Sequence, residues 1–420
     1  MGFNVLALRI TMRATEPILL EEYPGSALRG ALFHALLRRF CANPTAESCG
    51  VCPLNATCPV AALVAPLRDE SPRGRDVPRP FVLSSVVAVR SSLPIPAAAA
   101  QLSGDVAGKA QVKAPATTEG NVATGSVATG EEVGGSLAPP APAHTPSAPT
   151  GGGERTYTPP AQRIEVGQEY AFDLSVIGKA MTLFPYVAMS MPTIELMGLG
   201  RRGPDGRRGR PQVLRIEAVN PFDATGEARE TLYQRGQARV AAPTLAVTAA
   251  QVAARATALP GDRLTLRFLT PTRLIAEGQL VRRPDLRIIL LRLAERLDAL
   301  EAEYGAPMGV APVSVAPTTS DDEPGAPAVV GAEAWRLRRQ LIMQAMESVR
   351  LTRDETHWVD VLSYSGRQRR ATPIGGFVGM ATYAGPLPQE LRELLVWGEV
   401  LHVGKNAVKG DGYYRIELEN

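Results

Sequence analysis

The stretch FNVLALRITMRATEPILLEEYPGSALRGALFHALLRRF, residues 3–40, decides the fold class. Residues 3–13 alternate apolar and polar side chains, the period of a strand with one face on a core. Pro24, Gly25 and Ser26 then open a helix, with Ser26 as its expected cap. Further on, PFVLSSVVAVR (80–90) and YAFDLSVIG (170–178) read as strands. Residues 179–197 read as a second helix interrupted at Pro185 and Pro192, GLGRRGPDGRRGR (198–210) as a loop, and VLRIEAV (213–219) as a strand. The resulting order, βαββαβ, is that of the ferredoxin-like split βαβ.

The second half follows a looser version of the same plan. DRLTLRFLT (262–270), THWVDVLSYS (356–365), GGFVGMATYAG (375–385) and YYRIELE (413–419) read as strands. Helices are expected over 286–305, 331–350 and 387–401. The expected class is therefore α+β: tandem ferredoxin-like, RRM-like domains over 1–222 and 223–420. Two low-complexity stretches interrupt them. Residues 91–153 hold no aromatic and are rich in Ala, Gly, Pro and Thr, and VATG occurs twice there. Such a segment buries too little apolar surface to offset its ordering entropy, so a disordered insertion is expected. Residues 305–330, without Lys or Arg, read as a second flexible insertion.

Nothing resembles a membrane span, because no run of about 18 apolar residues occurs. The N-terminus lacks the charged start and small-residue cleavage site of a signal peptide, so a cytoplasmic location is expected. The net charge of +3 says little about partners. The choice of base says more: five lysines stand against 40 arginines. Arginine's rigid fork suits phosphate oxygens and stacks on bases. A GC-rich genome would produce the same bulk excess, so local clustering is the better evidence.

All four cysteines, Cys41, Cys49, Cys52 and Cys58, fall within residues 41–58 in the spacing C-x7-C-x2-C-x5-C. Four thiolates so close in sequence suit one tetrahedral structural metal, zinc first and an iron–sulfur cluster as the alternative. A reduced loop without metal is the remaining reading. A closed four-thiolate site leaves no open position for catalysis. On a helical wheel, Leu28, Leu32, Phe33, Leu36 and Phe40 form the apolar face of 27–40. His34, Arg38, Ala27, Gly30 and Ala31 take the other side, and Arg39 points toward the apolar side. His34 and Arg38 are neighbours at i, i+4, which suits an acid or base beside a phosphate clamp. On pattern alone an exposed helix histidine is the simpler reading. His402, in LHVGK, is open to a structural or an RNA-contacting role.

Three Gly- and Arg/Lys-rich loops favour nucleic acid. The first holds Arg201, Arg202, Arg207, Arg208 and Arg210, the second Arg367, Arg369 and Arg370, and the third Lys405, Lys409, Gly410 and Gly412. Glycines let backbone amides approach phosphates, and the cations supply charge. Tyr413 and Tyr414 are expected to stack on bases. No P-loop occurs, and no convincing carboxylate set for a two-metal nuclease.

SALRGALFHALLRRF followed by CGVCPLNATCPV resembles the N-terminal block of the CRISPR-associated repeat-RNA-processing endoribonucleases, of the RAMP superfamily of tandem ferredoxin-like proteins. FLTPTRL (268–274), WVDVLSYSGRQRR (358–370), GGFVGMATYAG (375–385) and GEVLHVGK (398–405) resemble later blocks of that family. The resemblance implies cleavage of precursor CRISPR RNA within each repeat, without a catalytic metal, by attack of the ribose 2′-OH on the adjacent phosphate. It implies His34 as general acid–base, Tyr23 and Arg38 as assisting residues, and the glycine-rich loops as the grip on repeat RNA. The final loop departs from the family pattern in placing Asp411 where an acid would repel phosphate. A non-catalytic RNA-binding subunit of a CRISPR effector complex is the second reading, and a metal-stabilised DNA-binding regulator the third.

Overall fold

The computed structural model describes residues 2–67, 77–84, 87–88, 162–223, 228–305, 327–365 and 370–418. The insertion expected over 91–153 lies outside them, as does most of that over 305–330.

In the first half, β1 (Val5–Ala14) leads through β2 (Ile18–Leu20) to α1 (Gly25–Phe40) and the short α2 (Pro59–Val64). Then come β3 (Phe81–Leu83), β4 (Val87–Ala88), β5 (Gln162–Ile164), β6 (Glu169–Ile177) and α3 (Phe184–Met197). The hairpin β7 (Leu199–Arg202) and β8 (Arg208–Gly209) precedes β9 (Pro211–Val219) and β10 (Arg229–Gln234). The main sheet runs β10-β9-β1-β6-β3, with β4 also on β6, all antiparallel. Helices α1 and α3 lie on one face, where Leu28, Ala31, Leu32, Met191 and Ile194 meet Ile10, Met12, Phe172 and Leu174.

In the second half, α4 (Ala249–Ala258) precedes β11 (Arg263–Thr272), the hairpin β12 (Leu274–Ala276) and β13 (Gln279–Val281), and α5 (Leu286–Tyr304). Next are α6 (Pro327–Ala345), β14 (Arg350–Val359), the hairpin β15 (Leu362–Ser365) and β16 (Arg370–Pro373), β17 (Gly376–Ala384), α7 (Gln389–Leu401) and β18 (Tyr414–Glu417). Their sheet runs β14-β17-β11-β18. Both sheets thus set their first strand between two later ones, β1 between β9 and β6 and β11 between β17 and β18.

Several expectations change. The loop at 198–210 contains a β-hairpin. The strand expected over 356–365 is two strands, and β14 begins earlier, at Arg350. Helix α6 begins at Pro327 rather than 331. Helix α1 is capped by Pro24 with no side-chain cap bond, so Ser26 is not its cap. Strand β1 is buried on both faces except at its end. The face that alternation assigned to solvent meets the other half. There Arg9, bonded to Asp173 at 2.8 and 2.7 Å, is held well above the ordinary arginine value by that bond, with Tyr413 and Glu217 adding to it.

The halves are tied at several points. Phe3 and Trp397 rings lie 5.3 Å apart. The Gly2 amide donates to Glu301 Oε1 at 2.6 Å, and Tyr304 Oη donates to the Pro78 carbonyl at 2.7 Å. Among the described residues, no helix is long and apolar enough to cross a membrane.

Candidate functional site

Helix α1 seats Leu28, Ala31, Leu32, Ala35 and Leu36 in the core and leaves His34 and Arg38 exposed. Ala31, expected on the open side, is buried, and Arg39, expected toward the apolar side, is exposed. At Gly30 an added Cβ would meet nothing within 4 Å, so the surface one turn before His34 is open. The Phe33 and His34 ring centroids lie 5.3 Å apart.

The β7–β8 hairpin lies along one flank of this helix. Its backbone rests directly on the β2 segment: a Cβ on Gly200 would lie 2.1 Å from the Leu19 carbonyl oxygen, and one on Gly209 2.0 Å from that of Pro17. Only glycine permits that approach, which brings Arg208 toward α1. Partial burial first, then the Arg208 and Arg38 guanidiniums, hold His34 below its ordinary 6.5. The neutral imidazole that results is a proton acceptor at neutral pH. The other arginines of this loop are partly committed. Arg201 forms a bidentate pair with Glu21, Arg210 lies 3.7 Å from Glu16, and Arg202 donates to the Gly206 carbonyl at 2.6 Å. Arg207 and Arg208 have no ion pair among the described residues.

The loop between α7 and β18 lies on the other flank. A Cβ on Gly25 would fall 1.4 Å from the Lys409 carbonyl oxygen, so this loop sits on the first turn of α1. His34 is nine residues on from Gly25, about half a turn round the helix. The two glycine-rich loops therefore hold opposite sides of α1. Gly410 (φ 92°) and Gly412 (φ 72°) pack inward, near the carbonyl oxygens of Leu83 and Val403. Lys405 is exposed. Asp411 is 2% exposed, and burial pushes its carboxyl up to about 8. It is thus largely neutral at pH 7 and does not present the repelling charge expected of it.

His402 is also buried, which settles its role as structural. Its Nε2 lies 3.3 Å from Ser84 Oγ, and burial first, then Arg296, push it down to about 3. Its ring stacks on Tyr413 at 4.9 Å, and Arg415 lies over Tyr413 at 5.3 Å. Tyr414 is fully buried and donates to the Leu395 carbonyl at 2.7 Å. Base stacking by Tyr414 is thereby corrected, because successive residues of β18 face opposite ways and one must enter the core.

The Arg208 and Arg38 guanidiniums act on His34, and Tyr23 lies just before α1. Arg367 and Arg369 lie outside the described residues, and Arg370 opens β16. Two cations that the sequence reading did not single out, Arg29 and Arg79, lie near Lys409. Their signal was weak, since Arg29 sits alone on its helix face and Arg79 precedes a strand.

The cysteines are all free and partly exposed. They are near one another: burial, then Cys58, Cys41 and Cys52, push the Cys49 thiol up. Yet among the described residues no three of His, Cys, Asp and Glu are placed to hold a metal ion. Cys41 closes α1 and Cys58 opens α2, so the four thiols sit on the turns that join these helices.

Residues 266–414 match the family model of the CRISPR-associated endoribonuclease Cas6. Over these residues the chain is similar to the Cas6 family. Residues 3–97 and 154–245 match a second family model, described as an N-terminal domain. Among solved structures, a Cas6 product complex is 15% identical over 98% of this chain and 100% of that one, with a TM-score of 0.44. Thermus thermophilus Cas6 is 13% identical over 99% and 100%, TM-score 0.42. A partial Cas6-RT-Cas1–Cas2 complex is 10% identical over 99% of this chain and 46% of that one, TM-score 0.46. No curated protein matches. The match to the Cas6 model ends on Tyr414 and takes in the whole loop that seats α1.

Proposed function

We propose that this chain binds CRISPR repeat RNA in precursor transcripts and cuts it by internal transesterification, with His34 at the reacting atoms. The observation that supports this is an exposed histidine on the open face of α1, held below its ordinary value by partial burial and by the Arg208 and Arg38 guanidiniums. A neutral imidazole takes the proton from a ribose 2′-OH. The 2′ oxygen attacks the adjacent phosphorus as the bond to the 5′ oxygen breaks. One proton leaves the 2′-OH and one reaches the 5′ oxygen, giving a 2′,3′-cyclic phosphate and a 5′-OH with no water consumed. In this scheme Arg38 and Arg208, which act on His34, offset the charge that builds on the phosphoryl oxygens. No catalytic metal takes part in this scheme. The test is His34→Ala on the repeat RNA of a neighbouring CRISPR array, with EDTA present and the ends mapped. Cleavage is expected to fall by about 10²-fold or more, the scale of a lost acid–base group, with binding retained. Unchanged cutting removes His34 from the mechanism. A wild type that binds but never cuts favours the non-catalytic effector subunit instead.

We also infer that each half is a ferredoxin-like unit, a reading supported by the place of the first strand between two later ones in both sheets. For Cys41, Cys49, Cys52 and Cys58 we keep a structural metal, zinc before iron–sulfur. Four neighbouring thiols support it, and side-chain rotation would have to bring them together. One zinc or iron per chain in protein purified without added metal is the expected elemental analysis; its absence sinks this reading, and a brown colour selects iron–sulfur.

A further inference from the structure

We propose that Arg29, Arg79 and Lys409 form a second site for a backbone phosphate of the RNA, on the flank of α1 opposite His34. The inference rests on the RNA-processing reading above and assigns a separate part of the same substrate. The three cations come from three distant segments: the second turn of α1, the approach to β3, and the loop after α7. Their meeting is built into the backbone. Gly25 lets the Lys409 carbonyl lie against α1, and Gly410 packs near the Leu83 carbonyl at the end of β3. Arg79 is fixed by Nε donating to the Val64 carbonyl at 2.8 Å, which leaves its terminal amino groups for another acceptor.

The electrostatics fit an anion site. Burial, then Arg79, hold Arg29 below its ordinary value. Lys409 is lowered by burial and by both arginines, and only Asp411 acts the other way. Asp411, however, is itself held largely protonated at neutral pH by its burial. Among the described residues no carboxylate pairs with Arg29 or Arg79. Partly buried like charges disfavour one another in the free protein, and a phosphodiester relieves that repulsion while matching the arginine fork. Arg29 lies five residues from His34 and about 140° round the helix. A phosphate held here is therefore not the one being cut. The site anchors the strand and does not act at the reacting atoms.

The test uses the full chain with Arg29→Gln and Arg79→Gln, and repeat RNA carrying a 2′-deoxy block at the cut site. Each variant is expected to raise Kd about fivefold and to lower the slope of log K against log salt by about 0.7, the single-strand value for one lost phosphate contact. The single-turnover rate on cleavable RNA at saturation should stay within twofold, and the melting temperature should hold or rise. Arg29→Lys, which keeps the charge, should retain most of the affinity. An unchanged Kd and slope in both Gln variants overturns the proposal. So does a melting temperature that drops in the Gln variants and in Arg29→Lys alike, which marks a packing role. Inorganic phosphate at millimolar concentration that displaces RNA and stabilises the wild type, but not the variants, would assign the site to a free anion instead. A wild type that binds no repeat RNA defeats the parent reading, a result distinct from all of these.

Discussion

Gly25 and Gly30 stand on the same helix and are expected to respond oppositely to alanine. In a helix interior, Gly→Ala gains about 0.8–1.0 kcal/mol of propensity. At Gly30 an added methyl meets nothing within 4 Å, so Gly30→Ala should be more stable by about 1 kcal/mol. At Gly25 the methyl would fall 1.4 Å from the Lys409 carbonyl oxygen and 2.4 Å from its carbon. That obstacle is backbone, and the loop carrying it is tied down. Thr270 Oγ1 donates to the Gly410 carbonyl at 2.8 Å, and the Tyr413 amide donates to Thr270 Oγ1 at 2.8 Å. Overpacking of this kind costs about 1–3 kcal/mol. After the propensity gain, which is smaller at a helix start, Gly25→Ala should lose about 1–2 kcal/mol. Urea unfolding with unchanged m reads both numbers as shifts in midpoint. Gly25→Ala should also weaken RNA binding, because Lys409 moves with the loop. If Gly25→Ala proves as stable as Gly30→Ala, the close seating of the loop on α1 is wrong.

Arg208→Gln removes one of the cations that favour neutral His34, so the limb of the cleavage rate assigned to this histidine should move to higher pH. A single-turnover pH series checks it, and an unmoved profile means that Arg208 does not act on His34. Asp411 makes a separate statement about stability. Its folded value of about 8 exceeds the ordinary 3.8, so the folded state holds a proton that the unfolded state releases. Stability from this group is present below about pH 4 and declines as pH rises toward 8. Asp411→Asn should flatten that decline across pH 4–8 and exceed the wild type at pH 8. Parallel wild-type and variant curves over that window would refute the burial argument.

The sequence patterns were legible where one face of an element meets one core. Helices α5 and α7 and the inner face of β1 follow from apolar period alone. The outer face of β1 was misread because its cover comes from the other half, which local alternation does not record. The β7–β8 hairpin escaped notice because its strands have no apolar alternation. They are held by close backbone contact at Gly200 and Gly209, and glycines in an arginine-rich run look like a loop. Helix α4 was missed although Thr248 and Gln251 form a capping box at its start. Its alanine-rich body offers little apolar contrast, and that motif was the available signal. His34 and Arg38 were found together from i, i+4 spacing. Arg208 was noted as a general RNA contact, but its place beside His34 depends on how the hairpin lies across β2, which no local pattern encodes.

The seating of the 404–412 loop on the first turn of α1 has a consequence for synthesis. The ribosome completes α1 early and makes Lys409 long afterwards, so the growing chain carries the histidine helix without its second flank. A nascent or truncated product ending before that loop would retain His34, Arg38 and Arg208 but would leave the start of α1 and the Leu83 carbonyl uncovered. Such a chain would grip RNA weakly.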